Sequence, residues 1–381
     1  EQKKRLAPWQ ENATIYDWQY SGGSPDSLRL FKNAKLETIA CSSTHLCYTS
    51  SIWPAQSVNQ RMLFADAIKA KADGGMSTAW ANFTGLHEEQ FNYLHATGAT
   101  LLWSGPDKTR LAPGLTRAEF DSAYSLHRYG LRTSALTDYL HALGDAGGPV
   151  LSAIAPMHGA GLRKCIYHTT NVLDFWAYAC DILAGIKFRH YCAAVAGARK
   201  SWARIRMENQ SDPDIWSLEG PLLMHEHLIV RFRMSEEVYA LYDRAAKAQG
   251  RQPARFRLLL DQAADRALQH LDDFAPIFKY LKDMRREYGH EQASIHRLKA
   301  TQSSLRELAA AIRHFKDDRR LLPAFQQLHN VFLSPYRTRW YGDREHEWSS
   351  ESPRFLRFTL DEPNPWRWSE ANTDREAENS D

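Results

Sequence analysis

Along most of this chain apolar side chains recur at every third or fourth position, and Gly, Pro and short polar runs interrupt them, so the pattern predicts a mainly α protein. Ser57 opens a helical stretch that ends at Gly74 and Gly75, and residues 87–97 form another, closed by Gly98. Thr116-Arg117-Ala118-Glu119 fits a capping box, in which the Thr hydroxyl and the Glu carboxylate satisfy each other's free backbone N–H groups; the helix should run to Tyr129 and stop at Gly130. A short helix comes next over 134–143, and residues 144–161, rich in Gly, Ala and Pro, read as a loop. Residues 171–207 read as one long helix or two, with apolar faces wide enough for the core of an N-terminal domain. The polar run 208–213 breaks that pattern, so a boundary is placed there. Residues 1–55 mix Trp, Ser, Thr, Gly and Pro without a helical period and read as irregular or short-strand structure.

The period changes in Leu228-Ile229-Val230-Arg231-Phe232-Arg233-Met234. Read with a period of two, Leu228, Val230, Phe232 and Met234 share an apolar face, and Ile229, Arg231 and Arg233 share the other. Ser235 comes next as an N-cap, with Glu236 and Glu237 in a first helical turn, where carboxylates favour the dipole. A helix over 236–249 carries Val238, Leu241, Tyr242 and Ala245 on one face and ends at Gly250. Arg251-Gln252 then makes a tight connection, and Pro253 starts a second helix striped with Phe256, Leu259, Leu260, Ala263 and Ala267.

This order of strand, capped helix, Gly-terminated turn and second amphipathic helix resembles the ribbon-helix-helix family of Arc and MetJ type over about residues 228–268. The resemblance implies a homodimer whose paired strands enter the major groove of double-stranded DNA. It implies that Ile229, Arg231 and Arg233, with His227 extending their face, contact DNA, and that Arg251 and Gln252 lie near a phosphate. It also implies a dimer core of Val230, Phe232, Val238, Leu241, Phe256, Leu259 and Leu260. Two departures stand out: Pro253 removes a backbone donor from the phosphate clamp, and more than half the chain precedes the motif.

The expected architecture is therefore a helical N-terminal domain (1–210), an embedded ribbon-helix-helix unit (222–270), a basic helical region (271–341) and an acidic, Trp-containing, partly disordered tail (342–381). The basic region, with helices over 273–288, 291–315 and 323–333, adds phosphate contacts on this reading. The expected function is transcriptional regulation or an accessory role in DNA processing such as plasmid mobilisation. The N-terminal domain and the tail are candidates for contact with a protein partner.

Composition adds little to this. The net charge of +3 is only weakly basic, so the placement of charge matters more than its sum. The longest apolar stretch, 172–198, is interrupted by Asp174, Asp181, Lys187, Arg189 and His190, too polar to span a membrane, and nothing at Glu1 reads as a signal peptide, although a leader could have been removed. The five cysteines lack regular spacing, which argues for reduced thiols and a cytoplasmic protein.

Rival chemistry is thinner. Cys41, His45 and Cys47 offer three soft ligands where a structural zinc site needs four. His225-Glu226-His227 looks like the His-x-His strand of phosphotriesterase-type hydrolases, but the chain beyond it reads as helical and is too short for that barrel. No cofactor, metal ligand set or catalytic residue is singled out. A helical metal- or haem-dependent enzyme is the alternative.

Overall fold

The computed structural model describes residues 13–19, 23–44, 55–78, 89–107, 110–154, 185–209, 212–288, 292–317 and 322. Among these the fold is mainly α, with one three-stranded sheet. By contacts the chain divides into a first unit of residues 1–148 and 193–222 and a second of 149–192 and 223–381, whereas the sequence suggested a break near 210. The tail from 342, the expected helix over 323–333 and residues 171–184 of the expected 171–207 stretch lie outside the described residues.

The first unit is built on β1 (Thr14–Trp18), β2 (Glu37–Ser43) and β3 (Gly74–Thr78), parallel and ordered β1-β2-β3. The ladders run from Thr14↔Glu37 to Trp18↔Cys41 and from Ile39↔Gly74 to Ser43↔Thr78. Parallel neighbours cannot be joined by a hairpin, so helices α1 (Pro25–Asn33) and α2 (Ala55–Ala70) serve as crossovers. Helix α2 buries two adjoining sectors. Leu63 and Ala67 meet Leu28 of α1 and Ala40 of β2, while Phe64 joins Tyr93, Leu94 and Leu101 of α3 (Glu89–Ser104) and Phe120 of α4 (Arg117–Tyr129). A helix covered on two sides has no narrow apolar stripe, which is why its sequence carries a weak helical period.

Helix α4 begins and ends as its sequence requires. Thr116 Oγ1 accepts from the Glu119 N–H, Glu119 Oε2 accepts from the Thr116 N–H at 2.7 Å, and Gly130 takes φ 66°. The expected loop at 144–161 is corrected in part, since α5 spans Ala135–Ile154. A glycine costs a helix only about 1 kcal/mol relative to alanine, so a helix already nucleated can continue through Gly144 and Gly147. Residues 1–55, read as irregular or short-strand, contain two of the three strands and α1 in their described part.

Helix α6 (Gly185–Glu208) begins in the second unit, where Phe188 and Tyr191 lie, and ends in the first, which also holds the short α7 (Pro213–Ser217). The second unit contains most of α8 (Glu219–Ala248), then α9 (Pro253–Gln269), a 3-10 turn (His270–Phe274), α10 (Ala275–Tyr288) and α11 (Gln292–His314). On α9, Phe256, Leu259, Leu260, Ala263, Ala264 and Ala267 form the buried stripe, and α11 covers it. Gly250 sits at φ 76° after α8, as its position required.

The strand expected at 228–234 is a correction: those residues lie inside α8, a helix of 30 residues. Leu222, His225, Leu228, Phe232, Ser235, Val238, Tyr242, Ala245 and Ala248 are all buried, a series of threes and fours that continues unbroken through the segment. Arg231 is 3% exposed, where a two-residue alternation put it outward. Ser235 is no N-cap. Its Oγ donates to the Arg231 carbonyl at 2.9 Å, the back-bond of a serine in mid-helix.

Candidate functional site at the carboxyl edge of the sheet

In an open parallel sheet the strands' carboxyl ends and the amino ends of the next helices face the same way, and ligands bind in the crevice there. In the first unit this edge gathers polar side chains that are themselves buried: Asp17 at the end of β1, Ser42 in β2 and Thr44 just after it, and Ser57 and Asn59 in the opening turns of α2.

Hydrogen bonds organise this edge into two groups, one around Asp17 and Asn59 and one around Ser57 and Arg117. Asp17 accepts from Gln19 Nε2 at 2.8 Å through Oδ1 and from the Ser27 hydroxyl through Oδ2. Ser27 and Ser24 share a short hydroxyl contact at the start of α1. Asn59 Nδ2 donates to the Gln19 carbonyl at 3.1 Å, which joins α2 to the segment after β1. Ser57 Oγ accepts from Arg117 Nη2 at 2.9 Å, and Arg117 Nη1 donates to the Tyr93 hydroxyl at 3.2 Å. That hydroxyl donates in turn to buried Asp121, and His141 Nε2 stands 4.0 Å from the other carboxylate oxygen.

The electrostatics of the edge are uneven. The Cys41 thiol is pushed up to about 11 by burial and by the Asp17 charge, so it is no nucleophile at neutral pH. Burial raises the Asp121 carboxyl, against the hydrogen bond from Tyr93 and the charge of Arg117. At the start of α1 the Ser24 N–H is taken by Asp66, whose carboxyl burial raises. A Cβ on Gly23 would fall 2.0 Å from Asp66 Oδ2, so only glycine admits that carboxylate. The chain's own acids thus fill the positive end of α1, and a phosphate would be repelled there. The guanidinium of Arg117 supplies positive charge at the opening of α2 instead.

The residues singled out by sequence fall elsewhere and do not assemble. In a helix Ile229 and Arg233 lie one turn apart on one side, with Arg231 turned away from them. Ile229 and Val230 are half-buried, Arg231 and His227 are buried, and Arg233 is exposed, its guanidinium 5.9 Å from the Phe188 ring. Of the expected dimer core, Phe232, Val238, Phe256, Leu259 and Leu260 are buried within the chain itself, and Leu241 is half-buried. Arg251 and Gln252 are exposed, in the turn before α9.

No group of three or more His, Cys, Asp or Glu side chains able to hold a metal occurs among the described residues. Cys41 lies buried in β2, and His45 and Cys47 lie outside the described residues. No helix among the described residues is long and apolar enough to cross a membrane.

Sequence reasoning missed Asp17, Ser57, Asn59, Tyr93, Arg117 and Asp121. The signal was a succession of two short apolar runs and a Gly-Gly pair, separated by helical stretches, with Gly22-Gly23-Ser24-Pro25 after the first. Comparisons of the chain with protein-family models, with curated proteins and with solved structures found no match.

Proposed function

We propose that the first unit binds a small polar metabolite against the carboxyl edge of its sheet. On this reading Asp17 receives a hydroxyl or amino donor of the ligand, and Arg117, braced by Ser57 and Tyr93, orients an acidic group. The observation that carries it is the concentration of buried polar side chains at that edge, since burying such groups costs free energy that a purely structural core avoids with apolar ones. The test is a thermal-shift and calorimetric screen of the purified protein against nucleosides, nucleotides, sugar phosphates and amino acids. A ligand at about 100 times its Kd should stabilise the protein by about 2.7 kcal/mol, and Asp17→Asn should abolish that gain. A ligand that stabilises wild type, Asp17→Asn and Arg117→Gln equally would refute the site, as would a panel that stabilises nothing.

A second reading keeps double-stranded DNA as a partner, in a changed form. Recognition by a two-stranded ribbon needs the strand at 228–234, which is helical. The favouring observation is the exposed trio Arg251, Arg255 and Arg257 around the start of α9, whose first turn carries no acidic residue. Arg255 is steadied by donating to Gln252 Oε1 at 3.0 Å. A regulator or a DNA-processing accessory would both use such a surface to grip phosphates. Titrating binding of a random duplex against salt tests it. Replacing the three arginines by alanine should lower the salt slope by about 3, and an unchanged slope would remove this surface from consideration.

A further inference from the structure

In the second unit, His227 of α8 and His270 of the 3-10 turn stack face to face, with ring centroids 5.5 Å apart and planes 13° apart. The Phe274 ring closes against both, at 4.4 Å from His227 and 5.2 Å from His270. Both ring nitrogens of His227, and Nε2 of His270, are buried and make no hydrogen bond. His270 Nδ1 is 2.8 Å from Asp273 Oδ2, so its proton sits on that side and Nε2 carries a lone pair into the interior.

Buried polar atoms without partners are rare in folded proteins, and three of them on two touching rings ask for an account. The charged groups facing the pair are Arg231 of α8, Arg266 of α9 and Asp273 of the 3-10 turn. Arg266 is itself held by Glu237. From α11, Gln302 Nε2 donates to the Leu271 carbonyl of the same turn at 3.4 Å.

We propose that the stacked pair His227 and His270, sealed beside Arg231 under Phe274, is an acid-operated latch that releases the 3-10 turn from α8 as pH falls. In the closed form both imidazoles are neutral. A proton on His227 would add a buried cation beside the Arg231 guanidinium, with no acceptor for either N–H. A proton on His270 would gain from Asp273 on one side, but would leave Nε2–H buried against the neighbouring ring. Once the turn swings away, both rings are hydrated and take protons from solvent at their ordinary affinity. Proton uptake is thereby coupled to opening. Burial and the nearby cations hold both rings below their usual value of 6.5, consistent with this geometry.

The sign comes from that depression. The closed state is fully favoured above pH 6.5 and loses ground as pH falls below it. Between pH 7.5 and 5.5 an imidazole that titrates only in the open form multiplies the opening constant by about 10, as His227 does, and His270 adds a further factor of up to about 10.

Amide hydrogen exchange on the full chain, corrected for the intrinsic pH dependence of exchange, reads this directly. Peptides covering 268–278 should lose more than about 10-fold and up to about 100-fold in protection between those pH values, while peptides of α2 change less than about threefold. In His227→Phe the loss should shrink by about 10-fold, because that proton site is gone. Imidazole nitrogen shifts in the wild-type protein provide a measurement that needs no variant. They should show both rings neutral for as long as the turn stays protected. The latch is overturned if protection is unchanged at the lower pH, if His227→Phe keeps the full response, or if both rings titrate near 6.5 with the turn still closed.

Discussion

Replacing Phe232 by alanine separates two accounts of this segment. In the fold observed, the Phe232 side chain is fully buried, and its ring lies 4.4 Å from that of Phe188, between α8 and α6. Truncating a phenylalanine in such a place removes its transfer free energy and leaves a cavity, together costing about 3–5 kcal/mol. The ring pair contributes about 0.5–1.5 kcal/mol of that, which a cycle with Phe188→Ala should recover as coupling. Urea unfolding monitored by helical circular dichroism gives the free energy, and repeating it at protein concentrations about 100-fold apart gives the second discriminant. If Phe232 were the core of an obligate dimer, the apparent stability would rise by about 2.7 kcal/mol over that range. The intrachain packing requires the cost of Phe232→Ala to be the same at both concentrations. A cost below about 1 kcal/mol, or a cost that vanishes at the lower concentration, would refute the packing described.

Two further outcomes rest on local features. Thr116→Ala should cost about 1 kcal/mol by removing the N-cap of α4, seen as a lowered urea midpoint, while Thr116→Ser should retain most of it. Global stability should fall with acid more steeply than the latch alone requires, because His225, held down to about 3 by burial, becomes protonated only on unfolding. Its contribution is full above pH 6.5 and is lost at up to about 1.4 kcal/mol per pH unit between there and about 3. His225→Asn should flatten that slope in a pH series of urea titrations, and an unaltered slope would mean that the ring is already charged in the folded chain.

Local sequence determined the parts of this protein in which neighbours along the chain supply the physics. The capping box at Thr116 and Glu119, the stop at Gly130, the left-handed Gly250, Pro253 at the first turn of α9 and the stripe from Phe256 to Ala267 were all legible, because each depends on residues within a few positions of one another. So was the mainly α character of the chain. The helix after Gly250 was read correctly for the same reason, and of the one before it only the end at Gly250.

The segment 228–234 was not legible locally. Seven residues with alternating apolar character fit a strand, and only the buried series running from Leu222 to Ala248 over many turns identifies a helix. That Arg231 points inward and Arg233 outward depends on what covers α8, and no window of sequence contains that information. The same holds for Phe256, Leu259 and Leu260: the apolar stripe announces a partner surface, and tertiary structure decides that the partner is α11 of the same chain. The candidate site is the strongest case. Asp17 and Ser57 come to one edge only because short parallel strands bring their carboxyl ends, and the helices after them, to the same side, and Ser57, Tyr93, Arg117 and Asp121 are then joined by hydrogen bonds between α2, α3 and α4. The order of these residues along the chain holds no trace of that meeting, since the sheet is formed by pairings between segments distant in sequence.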